Sequence, residues 1–374
     1  MVLGILAEPA GEQRVSMAPV SVDAALKLGF EKVLIEKGAG EKAHFSDGLY
    51  EEKGGQIASR EEVISNAEVI IGIHPMDADT ILNISDKKTI IHQIGMGDAK
   101  ASGEAAKEKG HTLMGIDLIP RTTRAQAMDV LSSMATVAGY EAVLLASTHL
   151  DRFFPMFMSA AGTIPPSKVL VLGAGVAGLQ AIATARKLGA VVEAFDVRSA
   201  AKEEAESLGA KFIEVEGAAD DAAAGGYAVE QSEEYQRKQK QMVHEHAIKS
   251  DVIISTAQIP GRKAPELIEK RTVEEMRPGS VIVDLAASTG GNCHYTVNDQ
   301  VIDQNGVCII GDSNLASRMP ADASTMYGRN LISYLKLFFA DGQWTFPLED
   351  DIVAASCITH DGKWLSERYK QLYL

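Results

Sequence analysis

Basic residues, cysteines and long apolar runs are all scarce in this sequence of 374 residues. Lys and Arg number 36 against 51 Asp and Glu, so the formal net charge is −15. This charge repels phosphate backbones and anionic bilayers, which argues against nucleic-acid binding and against a basic membrane patch. Three scattered cysteines, Cys293, Cys308 and Cys357, are too few for a disulfide framework or a thiolate metal site, so we expect buried thiols and no metal.

The sequence also has no obvious membrane span. No stretch provides the ~20 unbroken apolar residues that a span needs, and the closest, 169–185, is broken by three glycines. The N-terminus lacks a basic start and soon reaches Glu8, so we expect a first strand and not a secretory leader. With 46% apolar and 23% charged residues, the composition is that of a globular protein, which we expect to be cytoplasmic.

Two series of alternating segments predict an α/β protein with two Rossmann-like doubly wound parallel-sheet domains, separated by a cleft and bridged by long helices. The bridging helices are expected over 124–150. The first domain is predicted to comprise 1–131 plus 322–374, and the second 132–321. After a helix over 323–339 we expect an irregular tail that returns to the first domain.

The short β-branched runs and the helical runs give the predicted elements of both series. In the first series, strands are expected near 2–8, 32–38, 68–73, 88–95 and 111–119, with helices near 20–28, 60–66 and 101–109. In the second, strands are expected at 168–172, 190–195, 211–215, 251–255, 280–284 and 307–310, with helices at 176–188, 200–208, 235–249 and 264–276. Residues 216–232 have almost no large apolar side chain and predict a surface loop.

The strongest motif is a strand that runs into Gly173-x-Gly175-x-x-Gly178 and then into a helix. The first glycine allows a tight turn, the second a close approach of a pyrophosphate, and the third close helix–strand packing. The phosphates are expected at the helix N-terminus, where free N–H groups favour an anion. The next strand ends at Asp196, whose carboxylate would accept ribose hydroxyls and favour NAD(H) over NADP(H), although Arg198 could accommodate a 2′-phosphate.

Two later strand exits, 255–261 and 284–292, are rich in Gly, Ser and Thr. Because ligands bind at the carboxyl ends of parallel strands, both are candidates for the cofactor crevice, although either could be an ordinary turn.

Segments 11–19 (GEQRVSMAP) and 120–143 (PRTTRAQAMDVLSSMATVAGYEAV), with the glycine motif, DVRSA and PGSVIVDLA, resemble the superfamily of alanine dehydrogenase and the NAD(H)-binding component of proton-translocating nicotinamide nucleotide transhydrogenase. The likeness extends from Met1 to about Leu337 and is closer to the transhydrogenase component. It implies two Rossmann-like domains, dimers, and NADH presented for direct hydride transfer to NADP⁺ on a separate domain. A membrane subunit would couple this transfer to proton movement, with the chain peripheral on the inner membrane.

The resemblance also implies roles for individual residues. Those expected to hold the nicotinamide are Arg121, Gln126, Asp129 and Ser132. Those expected around the phosphate and ribose are Val176, Asp196, Val197 and Arg198. The glycine motif adds Gly173, Gly175 and Gly178 to the cofactor-binding residues, and the strand exit at 255–261 adds Thr256, Ala257 and Gln258. A mobile loop and its flank would contribute Gly226, Tyr227 and Gln239.

The spacing of Gln126, Asp129 and Ser132 predicts one shared helix face, where an amide and a carboxylate could fix a carboxamide. An alternative remains open, because Thr123 and Gln126 also match a helix capping box, and Gln126 could serve only there.

Alanine dehydrogenases bind a substrate carboxylate and move a proton. They use an arginine, a lysine, a histidine and an aspartate for this, and the resemblance indicates where these four groups would fall in the present sequence. Only the arginine is kept, as Arg14. His74 stands where a lysine is expected, His92 is one residue away from the histidine position, and Ser288 replaces the aspartate. The missing lysine and aspartate favour the transhydrogenase component over a self-sufficient amino-acid dehydrogenase. The nicotinamide-holding segment favours it over a non-catalytic NADH sensor, which has no reason to aim the nicotinamide at a partner.

Overall fold

The computed structural model describes residues 1–215, 233–258 and 262–374. Its strands are β1 Val2–Ile5, β2 Lys32–Glu36, β3 Gln56–Ala58, β4 Val69–Ile71, β5 Thr89–His92, β6 Thr112–Gly115, β7 Phe157–Ser159, β8 Gly162–Ile164, β9 Lys168–Leu172, β10 Val191–Phe195, β11 Lys211–Phe212, β12 Val252–Ser255, β13 Val281–Asp284, β14 Val301–Gln304, β15 Val307–Ile310, β16 Phe339–Ala340, β17 Gln343–Trp344, β18 Cys357–His360 and β19 Lys363–Trp364.

The α-helices alternate with these strands. They are α1 Pro19–Leu28, α2 Asp47–Glu51, α3 Arg60–Asn66, α4 Ala78–Asn83, α5 Ala99–Lys109, α6 Val130–His149, α7 Val176–Lys187, α8 Ala200–Ser207, α9 Glu233–Ala247, α10 Lys270–Glu275, α11 Pro320–Leu335, α12 Asp351–Ser356 and α13 Glu367–Tyr373. The chain forms two compact units, Met1–Met134 with Ser317–Leu374, and Ala135–Ala316. The sequence-based boundaries lay at 131/132 and 321/322.

The first unit contains an eight-stranded sheet in the order β19-β18-β6-β5-β4-β1-β2-β3. Strands β1 to β6 are parallel, and their order is that of a doubly wound nucleotide-binding sheet. Apolar β-branched residues such as Ile70 and Ile90 lie in its core, because the sheet is covered on both faces. The parallel-sheet prediction is confirmed for this unit.

The second unit contains a seven-stranded sheet in the order β11-β10-β9-β12-β13-β15-β14. Six strands are parallel and only β14 is antiparallel. Successive residues of β9 enter opposite cores, Val169 and Val171 on one face and Leu170 and Leu172 on the other. This two-sided burial explains why the strand is a continuous apolar run, and it confirms a second Rossmann-like unit.

The second unit differs from the prediction at one expected helix and at one hairpin that was not expected. Of the helix expected over 264–276, only Lys270–Glu275 is helical, because the preceding chain is extended and pairs Ile268 with Cys293. An antiparallel hairpin, β7 with β8, lies just before the Pro165–Pro166 pair and was not expected. All six of its residues are exposed.

The expected irregular tail is wrong, because residues 340–374 form regular structure. Strand β18 pairs antiparallel with β6, with Thr359 opposite Leu113, and so adds to the first unit's sheet. Helices α12 and α13 flank it. The prediction that the tail returns to the first unit is confirmed by this pairing.

The expected helices over 124–150 are two elements, a 3₁₀ helix Thr123–Met128 and the twenty-residue α6. Among the described residues, α6 is the one helix that is long and apolar enough, by length and composition alone, to cross a membrane. Its residues Ala142, Val143 and Ala146 are buried in the core of the second unit, as in a core helix of a globular protein.

Candidate functional site

The glycine-rich turn between β9 and α7 has the geometry that the motif predicts. Gly173 has φ +97°, a left-handed conformation that favours glycine. An added Cβ on Gly178 would overlap the carbonyl oxygen of Gly173, so the helix packs directly on the turn. An added Cβ on Gly175 would meet only Arg198, whose Nη2 lies 3.9 Å away. The backbone at Gly175 is therefore open to a close-approaching group.

The open glycine lies at the start of α7. Gly175 is the N-cap residue, with no side-chain capping bond, and Val176 is the first helical residue. The first N–H groups of a helix have no partner within the helix and attract anions. Val176 is itself partly exposed at this end. This turn, with its open glycine and uncapped helix start, fits the pyrophosphate of a dinucleotide.

Asp196 follows β10 and is tied to the glycine turn. Its Oδ2 accepts a hydrogen bond from the N–H of Ala174 at 2.7 Å. The Arg198 guanidinium donates to both carboxylate oxygens, from Nε to Oδ1 at 3.0 Å and from Nη2 to Oδ2 at 2.8 Å. The residue between them, Val197, packs partly buried against the sheet core. Asp196 is thus placed beside the turn, where the sequence predicts a ribose contact, but already holds an ion pair that sequence reasoning did not predict.

The exit of β12 packs against the same turn. The Thr256 hydroxyl donates to the carbonyl oxygen of Gly173 at 3.0 Å. Ala257 and Gln258 come next, and the Gln258 amide donates to the Leu285 carbonyl oxygen at 3.0 Å. Strands β9 and β12 are neighbours at the point where the strand order reverses, so these residues lie at the sheet edge where open α/β folds generally bind their ligands.

Asn292 fixes the loop after β12, a role that the sequence did not predict. It is fully buried. Its Oδ1 accepts from the Ala257 N–H at 3.1 Å, and its Nδ2 donates to the Ala257 carbonyl oxygen at 2.9 Å. Asn292 is the last residue of segment 284–292, which the sequence predicts as a candidate for the cofactor crevice. Composition therefore indicated the segment but not the two hydrogen bonds from Asn292 to the Ala257 backbone.

Of the three residues assigned to the mobile loop and its flank, the structure describes only one. Gly226 and Tyr227 lie outside the described residues. Gln239 lies on α9 and is buried. His244 on the same helix is also buried, and its Nδ1 lies 3.1 Å from the Thr272 hydroxyl.

The segment expected to hold the nicotinamide belongs to the first unit. Arg121 and Gln126 are exposed, and Asp129 and Ser132 are half-buried. The predicted common helix face is wrong, because Asp129 has φ −76° and ψ 89°, between the 3₁₀ helix and α6. The Asp129 carboxylate accepts from the Ser132 N–H at 2.8 Å and from its hydroxyl at 2.6 Å, so it caps α6.

The alternative role of Gln126 in a capping box is also not observed. The 3₁₀ helix begins after Thr122, which makes no side-chain capping bond. Gln126 is exposed in the second half of this helix. The amide is therefore accessible to a ligand, while Asp129 and Ser132 hold the backbone that carries it.

Arg14, the one substrate-binding group kept from alanine dehydrogenase, is occupied by a neighbour. Its Nε and Nη2 donate to the two oxygens of Glu12 at 2.8 and 2.7 Å, and both side chains are buried. His74 Nε2 lies 3.0 Å from the same carboxylate. Burial would raise the pKa of Glu12, but hydrogen bonds from Arg14 and His74 outweigh it and hold that pKa far below its usual value. Glu12 is thus a charged internal partner where a substrate carboxylate would be needed.

His92, Cys293 and Cys357 are buried groups whose pKa values burial shifts away from neutrality. Burial lowers the pKa of His92 to about 4, so its ring is neutral at pH 7. Burial raises the pKa of Cys293 and Cys357 to about 12. Among the described residues, no group of three or more His, Cys, Asp or Glu side chains could hold a metal ion.

The family models confirm the resemblance over most of the chain. The N-terminal domain of alanine dehydrogenase/PNT matches residues 4–138, and the C-terminal domain matches residues 142–367. Both matches fit the two-unit α/β fold.

The family contains transhydrogenases and alanine dehydrogenases, and sequence identity to individual proteins is higher on the transhydrogenase side. The chain is 43% identical to an NAD(P) transhydrogenase subunit alpha polypeptide of Rhodospirillum rubrum, covering 94% of each protein. It is 27% identical to the alanine dehydrogenase of Mycolicibacterium smegmatis, covering 98% of this chain and 95% of that one. The transhydrogenase structure from Sinorhizobium meliloti matches with a TM-score of 0.88 and 41% identity, over 98% of this chain and all of that one.

These comparisons confirm the predicted family, fold class, oxidoreductase class and NAD(H) cofactor at the level of the family. The contacts of individual residues with the nucleotide stay predictions. The chain belongs to the alanine dehydrogenase/PNT family, on the branch of the NAD(P) transhydrogenase alpha subunits.

Proposed function

We propose that this chain is the NAD(H)-binding component of a proton-translocating transhydrogenase. In this function it presents NADH for direct hydride transfer to NADP⁺ held on a partner domain. The observation that carries the proposal is the open glycine turn at Gly175, uncapped at α7 and bordered by the Asp196 carboxylate. NADH supplies the hydride when bound, so this chain has to bind the nucleotide, orient its nicotinamide and exclude water.

Each element of the turn has a distinct task in that proposal. Gly175 lets the pyrophosphate reach the first N–H groups of α7. Asp196 accepts the adenosine ribose hydroxyls, while Arg198 neutralises the carboxylate on its other side. Thr256 and Ala257 form the neighbouring wall, which Asn292 fixes.

The exposed side chains of Arg121 and Gln126 would hold the nicotinamide carboxamide, which has both donors and an acceptor. Hydride transfer needs the two reacting carbons at roughly 3–3.5 Å, and such positioning lowers the barrier without any acid or base. The neutral His92 and the Glu12–Arg14 pair agree with a site that does no proton chemistry at an amino-acid centre.

The partners follow from what this reaction requires. A second polypeptide or domain must hold NADP(H), and a membrane subunit must carry the protons. The chain would thus be cytoplasmic and bound peripherally at the inner membrane through those subunits. Its charge of −15 argues against nucleic acid as a partner.

We further propose that two copies associate through the β7–β8 hairpin. Residues 153–167 contain no charged side chain, in a chain of net charge −15. Phe153, Met156, Phe157 and Met158 are 47–72% exposed, although large apolar groups are normally covered. A two-stranded hairpin is marginal in water unless another element covers it. An uncharged patch is where two such acidic chains repel each other least, so we assign a second copy as the cover.

One experiment tests the catalytic proposal against alanine dehydrogenase activity. Purified chain is titrated with NADH by nicotinamide fluorescence, then supplied with pyruvate and ammonium, and then with an NADP⁺-loaded transhydrogenase partner domain. We expect binding, no NADH loss with pyruvate and ammonium, and transfer once the partner is added. Rapid turnover with pyruvate would establish a dehydrogenase, and absence of transfer to the loaded partner would contradict the proposal.

A further inference from the structure

Arg124 ties the proposed nicotinamide-holding segment to the tail of the chain. It lies in the 3₁₀ helix Thr123–Met128, two residues before Gln126. Its Nη1 and Nη2 donate to the two oxygens of Asp350 at 2.7 and 2.9 Å, and Nη2 also contacts Asp351. A forked pair of this kind fixes the direction as well as the distance between its partners.

The acceptor of this pair is itself fixed. Asp350 is the N-cap of α12, and its Oδ1 accepts from the N–H groups of Ile352 and Val353 at 2.9 and 3.3 Å. The hydrogen bonds from Arg124 hold the pKa of Asp350 below its usual value. Helix α12 runs directly into β18, which belongs to the first unit's sheet. Arg124 is therefore bonded to a group that the sheet holds in place.

A second bond holds the segment on the other side of Gln126. Asn330 on α11 is buried, and its Nδ2 donates to the Ala127 carbonyl oxygen at 2.9 Å. The exposed Gln126 thus lies between two attachments, at Arg124 and at Ala127. With both ends held, the backbone at Gln126 has little freedom to rotate.

We propose that Arg124, with Asp350 and Asn330, is a positioning residue that aims Gln126 at the nicotinamide. This inference rests on the proposed function, because it concerns the same hydride transfer. Arg124 acts through the segment and not on the nucleotide. Since Arg124 is half-exposed, the ion pair contributes little to stability, and its effect is expected on transfer rate and not on folding.

The test compares Arg124→Gln, Arg124→Lys and Asn330→Ala with the original chain. Each is measured with the NADP⁺-loaded partner for kcat, with NADH fluorescence for Kd, and by thermal unfolding. We expect Arg124→Gln to lower kcat by about tenfold, since misplacement by about 1 Å is costly, while Kd changes less than about twofold. Lysine should recover only a fraction of the rate, because it cannot form the forked pair.

Lys87→Met is the matched control. Lys87 also bonds to the tail of the chain within the first unit, through Asp361 at 2.7 Å, and both side chains are well exposed. We expect it to keep the original kcat. If Arg124→Gln behaves like Lys87→Met, or if its kcat and unfolding temperature fall together while its Kd for NADH rises in step, the positioning role is wrong. If the original chain binds NADH but transfers nothing to the partner, the proposed function fails before the variants are compared.

Discussion

The guanidinium of Arg198 and the carboxylate of Asp196 form a two-point ion pair beside the glycine turn. The same carboxylate accepts the Ala174 N–H, so it links the end of β10 to the turn after β9. Arg198 is also the group nearest to the open side of Gly175. Asp196, which is predicted to favour NAD(H), therefore holds Arg198, which could accept a 2′-phosphate.

Asp196→Asn should weaken NADH binding and relax the exclusion of NADPH. The substitution removes the acceptor charge for the ribose and frees Arg198 to meet a phosphate. A charged hydrogen bond contributes about 1.5–3 kcal/mol, so we expect the NADH Kd to rise about tenfold or more. Fluorescence titrations with NADH and NADPH measure both. Glu193→Gln, on the same strand, is the control, and an unchanged preference in Asp196→Asn would remove the ribose assignment.

Gly175→Ala and Gly178→Ala should separate nucleotide binding from folding. At Gly175 there is space for a methyl group, so the fold should persist while pyrophosphate approach is blocked. At Gly178 the methyl group would overlap the Gly173 carbonyl oxygen, so the second unit should lose stability by at least about 1–3 kcal/mol. Denaturant unfolding and NADH titration distinguish the two. Normal NADH affinity in a folded Gly175→Ala variant would contradict the phosphate assignment.

Gln126→Asn should slow hydride transfer far more than it weakens NADH binding. The amide stays, but one methylene shorter, so it reaches the carboxamide poorly. Asp129→Asn should also slow transfer, and with its cap weakened it should cost up to about 1 kcal/mol of stability. Single-turnover transfer to the loaded partner and unfolding curves measure both effects. If both variants transfer at the original rate, the segment is structural only.

Met158→Glu should convert a dimer to a monomer. A carboxylate in the centre of the uncharged hairpin would face its copy and the chain's own negative charge. Sedimentation velocity gives the mass. Val301→Glu changes another well-exposed apolar residue of the same unit and should leave the mass unaltered. A monomeric original chain, or a dimer that survives Met158→Glu, would exclude the hairpin as the contact.

His92 should make the protein less stable as the pH falls from about 6.5 to about 4. The pKa of the buried ring is about 4 in the folded protein and near 6.5 when unfolded, so within this window only the unfolded chain binds the proton. Relative to His92→Leu, the original chain should lose about 3 kcal/mol across the window. Burial raises the pKa of Glu8 to about 6, which gives the opposite slope in both proteins and cancels in the difference.

Urea unfolding at several pH values tests this. Parallel curves for the original chain and His92→Leu would show that His92 does not titrate in this window.

Sequence patterns predicted the elements whose signals are local. The strand, glycine turn and helix at 168–187 follow from residues close together in the chain. The hairpin at 157–164 was missed because its strands are three residues long and rich in small residues. The tail was missed because β18 is defined by pairing with β6, more than 240 residues earlier.

The site followed the same division. The glycines and Asp196 were predicted from spacing. The ion pairs Glu12–Arg14 and Asp196–Arg198 were not predicted. The sequence does not show side-chain direction, which decides whether Arg14 bonds to Glu12 or to a ligand. Likewise, the pattern of polar positions at Gln126, Asp129 and Ser132 suggested a continuous helix, whereas Asp129 ends one helix and caps the next.

The late strand β18 has a consequence for biosynthesis. The second unit is complete once Ala316 has been made, and it can fold while the ribosome is still at work. The first unit has to wait for residues 357–360, and until then β6 is an uncovered edge. A chain interrupted near residue 340 would therefore carry a finished second unit and a first-unit sheet whose β6 edge is open to pairing with other chains.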